Sequence, residues 1–67
     1  MMCRLIFKRE NEDLECCFEE GETYADILLA IDVVPDTVIL SKNGKFIPED
    51  EPAKEGEIIV YTTSSRG

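Results

Sequence analysis

Apolar and polar residues alternate along residues 2–8, with Cys3, Leu5 and Phe7 on one face and Arg4, Ile6 and Lys8 on the other. A period of two is that of a strand with one face buried. Glu10-Asn11-Glu12-Asp13 reads as a polar turn. Alternation resumes over residues 14–19, with Leu14, Cys16 and Phe18 inward and Glu15, Cys17 and Glu19 outward. The first two strands therefore form a β-hairpin. At Gly21 the period changes. Thr23 suits a helix N-cap, with Asp26 as a weaker form of the capping-box acid. Tyr24, Ile27, Leu28 and Ile31 then line one helix face. The helix is expected over about residues 24–32, ahead of Pro35, because the residue before proline avoids the α region.

A third strand runs from Thr37 to Lys42 with Val38 and Leu40 inward. Asn43-Gly44 is a two-residue hairpin signal, since both positions need positive φ. Lys45-Phe46-Ile47 is a short fourth strand ended by Pro48, and residues 48–56 form an acidic loop. Residues 57–62 make a fifth strand that is apolar on both faces at Ile58, Ile59, Val60 and Tyr61. Such a strand belongs in the middle of a sheet. The order ββαββ with a final β requires one helix to cover one face of a mixed sheet, with the last strand central and parallel to the first. This is an α+β, β-grasp arrangement, with the domain over residues 1–62 and a flexible C-terminal tail over 63–67.

Composition narrows the function. A 67-residue chain is one domain, and one this small buries only about 60% of the surface its unfolded form exposes. There is little room for a core and a deep catalytic pocket together. Fifteen acids against seven bases give a net charge of −8. That argues against nucleic acid, whose affinity rests on Lys and Arg meeting phosphate, and it suits a partner with a basic face. Histidine is absent, so the usual zinc arrangements are unavailable and no bound metal or cofactor is expected. Cys3, Cys16 and Cys17 read as reduced packing residues, the outward-facing one of the vicinal pair being the candidate for redox sensing. No apolar stretch is long enough to span a bilayer, and a cytoplasmic monomer with no membrane partner is expected. No nucleophile stands beside a base and no phosphate loop occurs, so an enzyme is not expected.

The stretch Glu20-Gly21-Glu22-Thr23-Tyr24-Ala25-Asp26-Ile27-Leu28, the segment Lys42-Asn43-Gly44-Lys45-Phe46-Ile47-Pro48 and Lys54-Glu55-Gly56-Glu57-Ile58-Ile59 follow one another in an informative order. With the hairpin ahead of them, the chain resembles the ubiquitin-like β-grasp sulfur carriers of the ThiS and MoaD type, including the archaeal small modifier proteins. The resemblance covers nearly the whole chain. It implies a ubiquitin-like fold and a carrier acted on by an E1-like adenylating enzyme that uses ATP. It further implies a C-terminal glycine, here Gly67, whose carboxylate becomes a thiocarboxylate for a sulfur-accepting synthase or is joined to a lysine. Thiamin, molybdopterin, tRNA thiolation and protein conjugation remain open as destinations.

The same resemblance implies that Ser64, Ser65 and Arg66 enter the partner's active site ahead of Gly67. Family tails end in two glycines, and counted from Gly56 the chain places Gly67 on the first of the two positions. The alternative is a β-grasp interaction module that has lost the terminal chemistry. For docking, Ile6, Ile39, Phe46, Ile58 and Val60 are expected on the sheet face away from the helix, where a contiguous apolar patch marks a protein interface. Lys8, Lys42, Lys45 and Lys54 read as ordinary surface lysines.

Overall fold

The computed structural model describes residues 1–63. Strands β1 (Met2–Phe7) and β2 (Glu12–Cys17) pair antiparallel, with Cys3 opposite Cys16 and Leu5 opposite Leu14. The turn between them lies at Lys8–Asn11, earlier than expected. Asn11 N–H donates to the Lys8 carbonyl at 3.3 Å, and Asn11 takes a φ of 57°, which a short polar side chain tolerates better than most. The strand accordingly starts at Glu12, two residues before the first apolar position.

Helix α1 (Tyr24–Ala30) begins as the sequence indicates. Asp26 N–H donates to Thr23 Oγ1 at 3.2 Å and Thr23 N–H to Asp26 Oδ2 at 2.9 Å. The acidic loop completes the start of the helix: Tyr24 N–H reaches the Glu51 carbonyl at 3.2 Å and Ala25 N–H the Glu49 carbonyl at 2.8 Å. Amides that a helix start leaves without intrahelical partners are thus satisfied. The Tyr24 hydroxyl is fixed on the same loop, accepting from Lys54 N–H at 3.1 Å and lying 3.4 Å from the Lys54 carbonyl. Through its backbone the acidic loop is therefore the clasp of the helix. Thr23→Ala should lower stability by about 1 kcal/mol, read as a fall of roughly 4–8 °C in melting temperature for a domain of this size.

The helix ends earlier than Pro35 requires. Asp32 N–H donates to the Leu29 carbonyl at 3.0 Å and Val33 N–H to the Leu28 carbonyl at 2.8 Å, while Asp32 sits at a φ of 68°. This is the paired-bond ending that usually carries glycine at the left-handed position, and aspartate there hid it from the sequence. A 3-10 turn at Pro35–Thr37 then leads into β3 (Val38–Lys42). Asn43 and Gly44, at φ of 53° and 80°, make the tight turn to β4 (Lys45–Ile47) as expected.

β5 (Gly56–Thr62) runs parallel to β1 and antiparallel to β3 in a sheet of order β2-β1-β5-β3-β4. Gly56 opens it at a φ of 128°, with Lys42 Nζ 3.3 Å from where a Cβ would stand. The lysine donates from there to the Glu55 carbonyl at 3.1 Å. Tyr24, Ile27 and Leu28 pack with Leu5, Leu40, Ile58 and Val60 into one core between helix and sheet. The fold is α+β, a ubiquitin-like β-grasp with the helix on one face of a five-stranded mixed sheet. Among the described residues no helix is long and apolar enough to cross a membrane.

Candidate functional site

The tail leaves the middle of the sheet. β5 is bonded on both sides, and the residue after it, Thr63, is held at the sheet end. Its N–H and Oγ1 both donate to the Thr37 carbonyl, at 2.8 and 3.2 Å. Ser64, Ser65, Arg66 and Gly67, the predicted tail and carrier terminus, lie outside the described residues. Beside this exit is a cavity of about 400 Å³. Phe7, Leu14, Val34 and Val38 give it apolar walls, and Glu10, Glu12 and Asp32 give it negative charge.

The open sheet face carries an apolar patch, with a different membership from that expected. Ile58 and Val60 are fully buried in the core, on the helix side. The register leaves no other choice. Ile58 pairs with Leu5, and Val60 with Phe7 and Leu40, and paired residues share a face of the sheet. Ile59 and Tyr61 therefore take the open face. One row crosses all five strands as Asp13, Ile6, Ile59, Ser41 and Phe46, and the neighbouring row sets Ile39 opposite Tyr61.

Of the residues assigned to docking, the structure brings together Ile6, Ile39 and Phe46 and removes Ile58 and Val60. It adds Ile59 and Tyr61. The signal that finds these two was present: Glu57, the strand's one charged residue, must face water, so 59 and 61 follow it outward.

Phe46 is 76% exposed, Ile39 42% and Tyr61 40%. With Ser41 and Gly44 these three line a hollow of about 310 Å³. Ser41 is buried between its cross-strand neighbours Ile59 and Phe46. Toward β2 the face turns polar. Arg4 pairs with Glu15 at 3.0 Å and Asp13 at 3.5 Å. The Glu15 hydrogen bond first, then the Asp13 charge, push the arginine pKa up. An apolar centre with a charged margin is the layout of a protein interface.

Among the described residues no group of three histidine, cysteine, aspartate or glutamate side chains is placed to hold a metal ion. Cys3 and Cys16 are buried free thiols, and Cys17 is exposed. The geometry of the described residues offers an apolar surface and, beside the exit of the chain, a cavity walled in part by Glu10, Glu12 and Asp32.

A family model for small archaeal modifier protein 2 matches residues 3–61. The chain belongs to this family. The match reaches into every strand and covers the helix and the whole open-face patch, and it stops ahead of the tail. No curated protein matches the chain. The small archaeal modifier proteins are small ubiquitin-like modifiers, carriers rather than enzymes. Of the groups the sequence resembles, the small archaeal modifiers are the one this match shows.

Proposed function

We propose that this chain is a modifier or sulfur carrier that docks on an E1-like adenylating enzyme by its open sheet face and acts through its C-terminal glycine. The observation that carries the reading is the exit of the chain from the central strand: Tyr61 belongs to the apolar patch, and Thr63, two residues on, is anchored to Thr37. A partner that grips the patch then has the following residues directed from a fixed point. Such fixed presentation matters, because a misplacement of about 1 Å can cost roughly a hundredfold in rate.

The chemistry follows from the carboxylate. With a pKa near ~3.5 it is ionised at neutral pH and is a poor acyl donor. In the partner's site a carboxylate oxygen attacks the α-phosphorus of ATP and pyrophosphate leaves. Sulfide then displaces AMP to give a thiocarboxylate for a sulfur-accepting synthase, or a lysine amine displaces it to give an amide. Ser64, Ser65 and Arg66 supply the thin chain that enters the site, and Gly67 lets the partner's backbone approach closely because it has no Cβ. The chain's acidity and the carboxylates at the exit, Glu10, Glu12 and Asp32, suit a basic rim on the enzyme.

The test is twofold. ATP–pyrophosphate exchange by an adenylating enzyme of the same host should depend on this protein and vanish when residues 64–67 are removed. Intact mass of protein purified from that host should show one terminal oxygen exchanged for sulfur, or lysine-linked conjugates, and it locates the reacting carboxylate. Failure of such enzymes to adenylate the natural protein would sink the reading. Unchanged function after removal of residues 64–67 would favour a pure binding module.

A further inference from the structure

We propose that Cys3 and Cys16 are a redox pair that forms a reversible cross-strand disulfide when the protein meets a disulfide oxidant such as oxidised glutathione. The two residues are direct partners in the β1–β2 ladder. Both side chains point into the core, at 3% and 7% exposure, and both are free thiols. They therefore face the same side of the sheet from opposite positions.

The phase of the ladder sets their spacing. Met1 and Phe18 exchange both backbone bonds, at 3.1 and 2.8 Å. Hydrogen-bonded pairs recur at every second position, so Cys3 and Cys16 are one too. Cα atoms in such a pair lie about 5.5 Å apart, inside the window of about 4.4–6.8 Å that a disulfide spans. Directly opposed Cβ atoms stand about 4.5–5.5 Å apart, the larger end applying to hydrogen-bonded pairs, and a disulfide wants about 3.5–4.5 Å. The bond thus forms with the strands drawn together, and a strained disulfide is more readily reduced than a relaxed one. This geometry describes a switchable link rather than a permanent staple.

Cys17 cannot substitute for its neighbour. It pairs with Met2 and is exposed, so its side chain lies on the face away from Cys3. Burial first, and then the neighbouring Cys16, push the Cys3 thiol above its ordinary pKa. Burial and then Cys17 do the same for Cys16. Both groups are protonated at neutral pH, and the reaction should quicken as pH rises toward their pKa values. β2 is an edge strand, so local opening of one ladder admits the oxidant. The two thiols lose two protons and two electrons, a sulfur–sulfur bond forms, and glutathione disulfide is reduced to two glutathione thiols. The link closes the hairpin beside Gly56, the partner of Cys3 on β5, at the end of the sheet opposite Thr63.

The full chain and its Cys17→Ser and Cys16→Ser variants, incubated with oxidised glutathione, test this. Cys17→Ser should lose two hydrogens, and the natural chain should lose the same two, with any glutathione it gains confined to the exposed Cys17. The tryptic peptide ending at Arg4 should become linked to the peptide that contains Cys16, and dithiothreitol should release it. Oxidised Cys17→Ser should melt several degrees above its reduced form, and Cys16→Ser should form no such link. The proposal is overturned if Cys17→Ser stays reduced or gathers only glutathione adducts. It is equally overturned if the link in the natural chain maps to Cys17 or joins two chains.

Discussion

Ile58→Ala is expected to unfold a large fraction of the protein at physiological temperature, while Ile59→Ala, one residue along, leaves it folded. Ile58 is fully buried and packs where helix and sheet meet. Removing its branched side chain leaves a cavity in a close-packed core, at about 2–5 kcal/mol. A chain of this length has roughly 3–10 kcal/mol of stability in total, so the loss takes much of the reserve. Ile59 points to the open face, is half-buried, and its truncation opens no interior cavity. Urea denaturation of both variants, followed by circular dichroism, reads the difference. The reverse order of stabilities would mean that β5 is phased the other way, with Ile58 and Val60 on the open face. Equal losses would mean that neither face is open.

That experiment bears on the divergence between chain and fold that matters most for the site, the facing of β5. The hairpin, the helix face from Tyr24 to Ile31, the Asn43-Gly44 turn and the central place of the last strand were all legible. In the first three, apolar and polar positions repeat with a single period or a turn demands a particular residue, and the last strand's central place follows from its being apolar on both faces. β5 carries Ile58, Ile59, Val60 and Tyr61 in succession, and an unbroken apolar run has no phase of its own. Pairing with Leu5 and Leu40 fixes the phase, and pairing is a property of distant segments. The end of α1 was obscured for a local reason, because Asp32 stands where glycine would have announced the stop. The clasp of residues 49–54 on the helix is made chiefly by backbone carbonyls and amides. It leaves little trace in side-chain identity beyond Tyr24, whose hydroxyl finds its partners there.

The larger functional effect is expected from the open face. Phe46→Glu with Tyr61→Glu should leave the melting temperature within a few degrees of the natural protein and weaken binding to the activating enzyme by at least about thirtyfold. That factor corresponds to the roughly 2 kcal/mol that marks an interface hot spot. Neither side chain supports the core: Phe46 is 76% and Tyr61 40% exposed. Their carboxylate replacements stay solvated in the free protein and are costly only when a partner excludes water from them. Leu29→Glu is the matching control. Leu29 is an equally conspicuous apolar residue, 59% exposed, but it projects from the helix, on the other side of the molecule from the patch. It should leave binding unchanged. Titration of the adenylating enzyme with the three proteins separates the alternatives. If Leu29→Glu weakens binding and the Phe46, Tyr61 pair does not, docking runs over the helix. If all three bind alike, the enzyme holds the tail alone. The predicted pattern requires instead that the sheet face be gripped first, since Tyr61 on that face and Thr63 at the tail exit are separated by a single residue of β5.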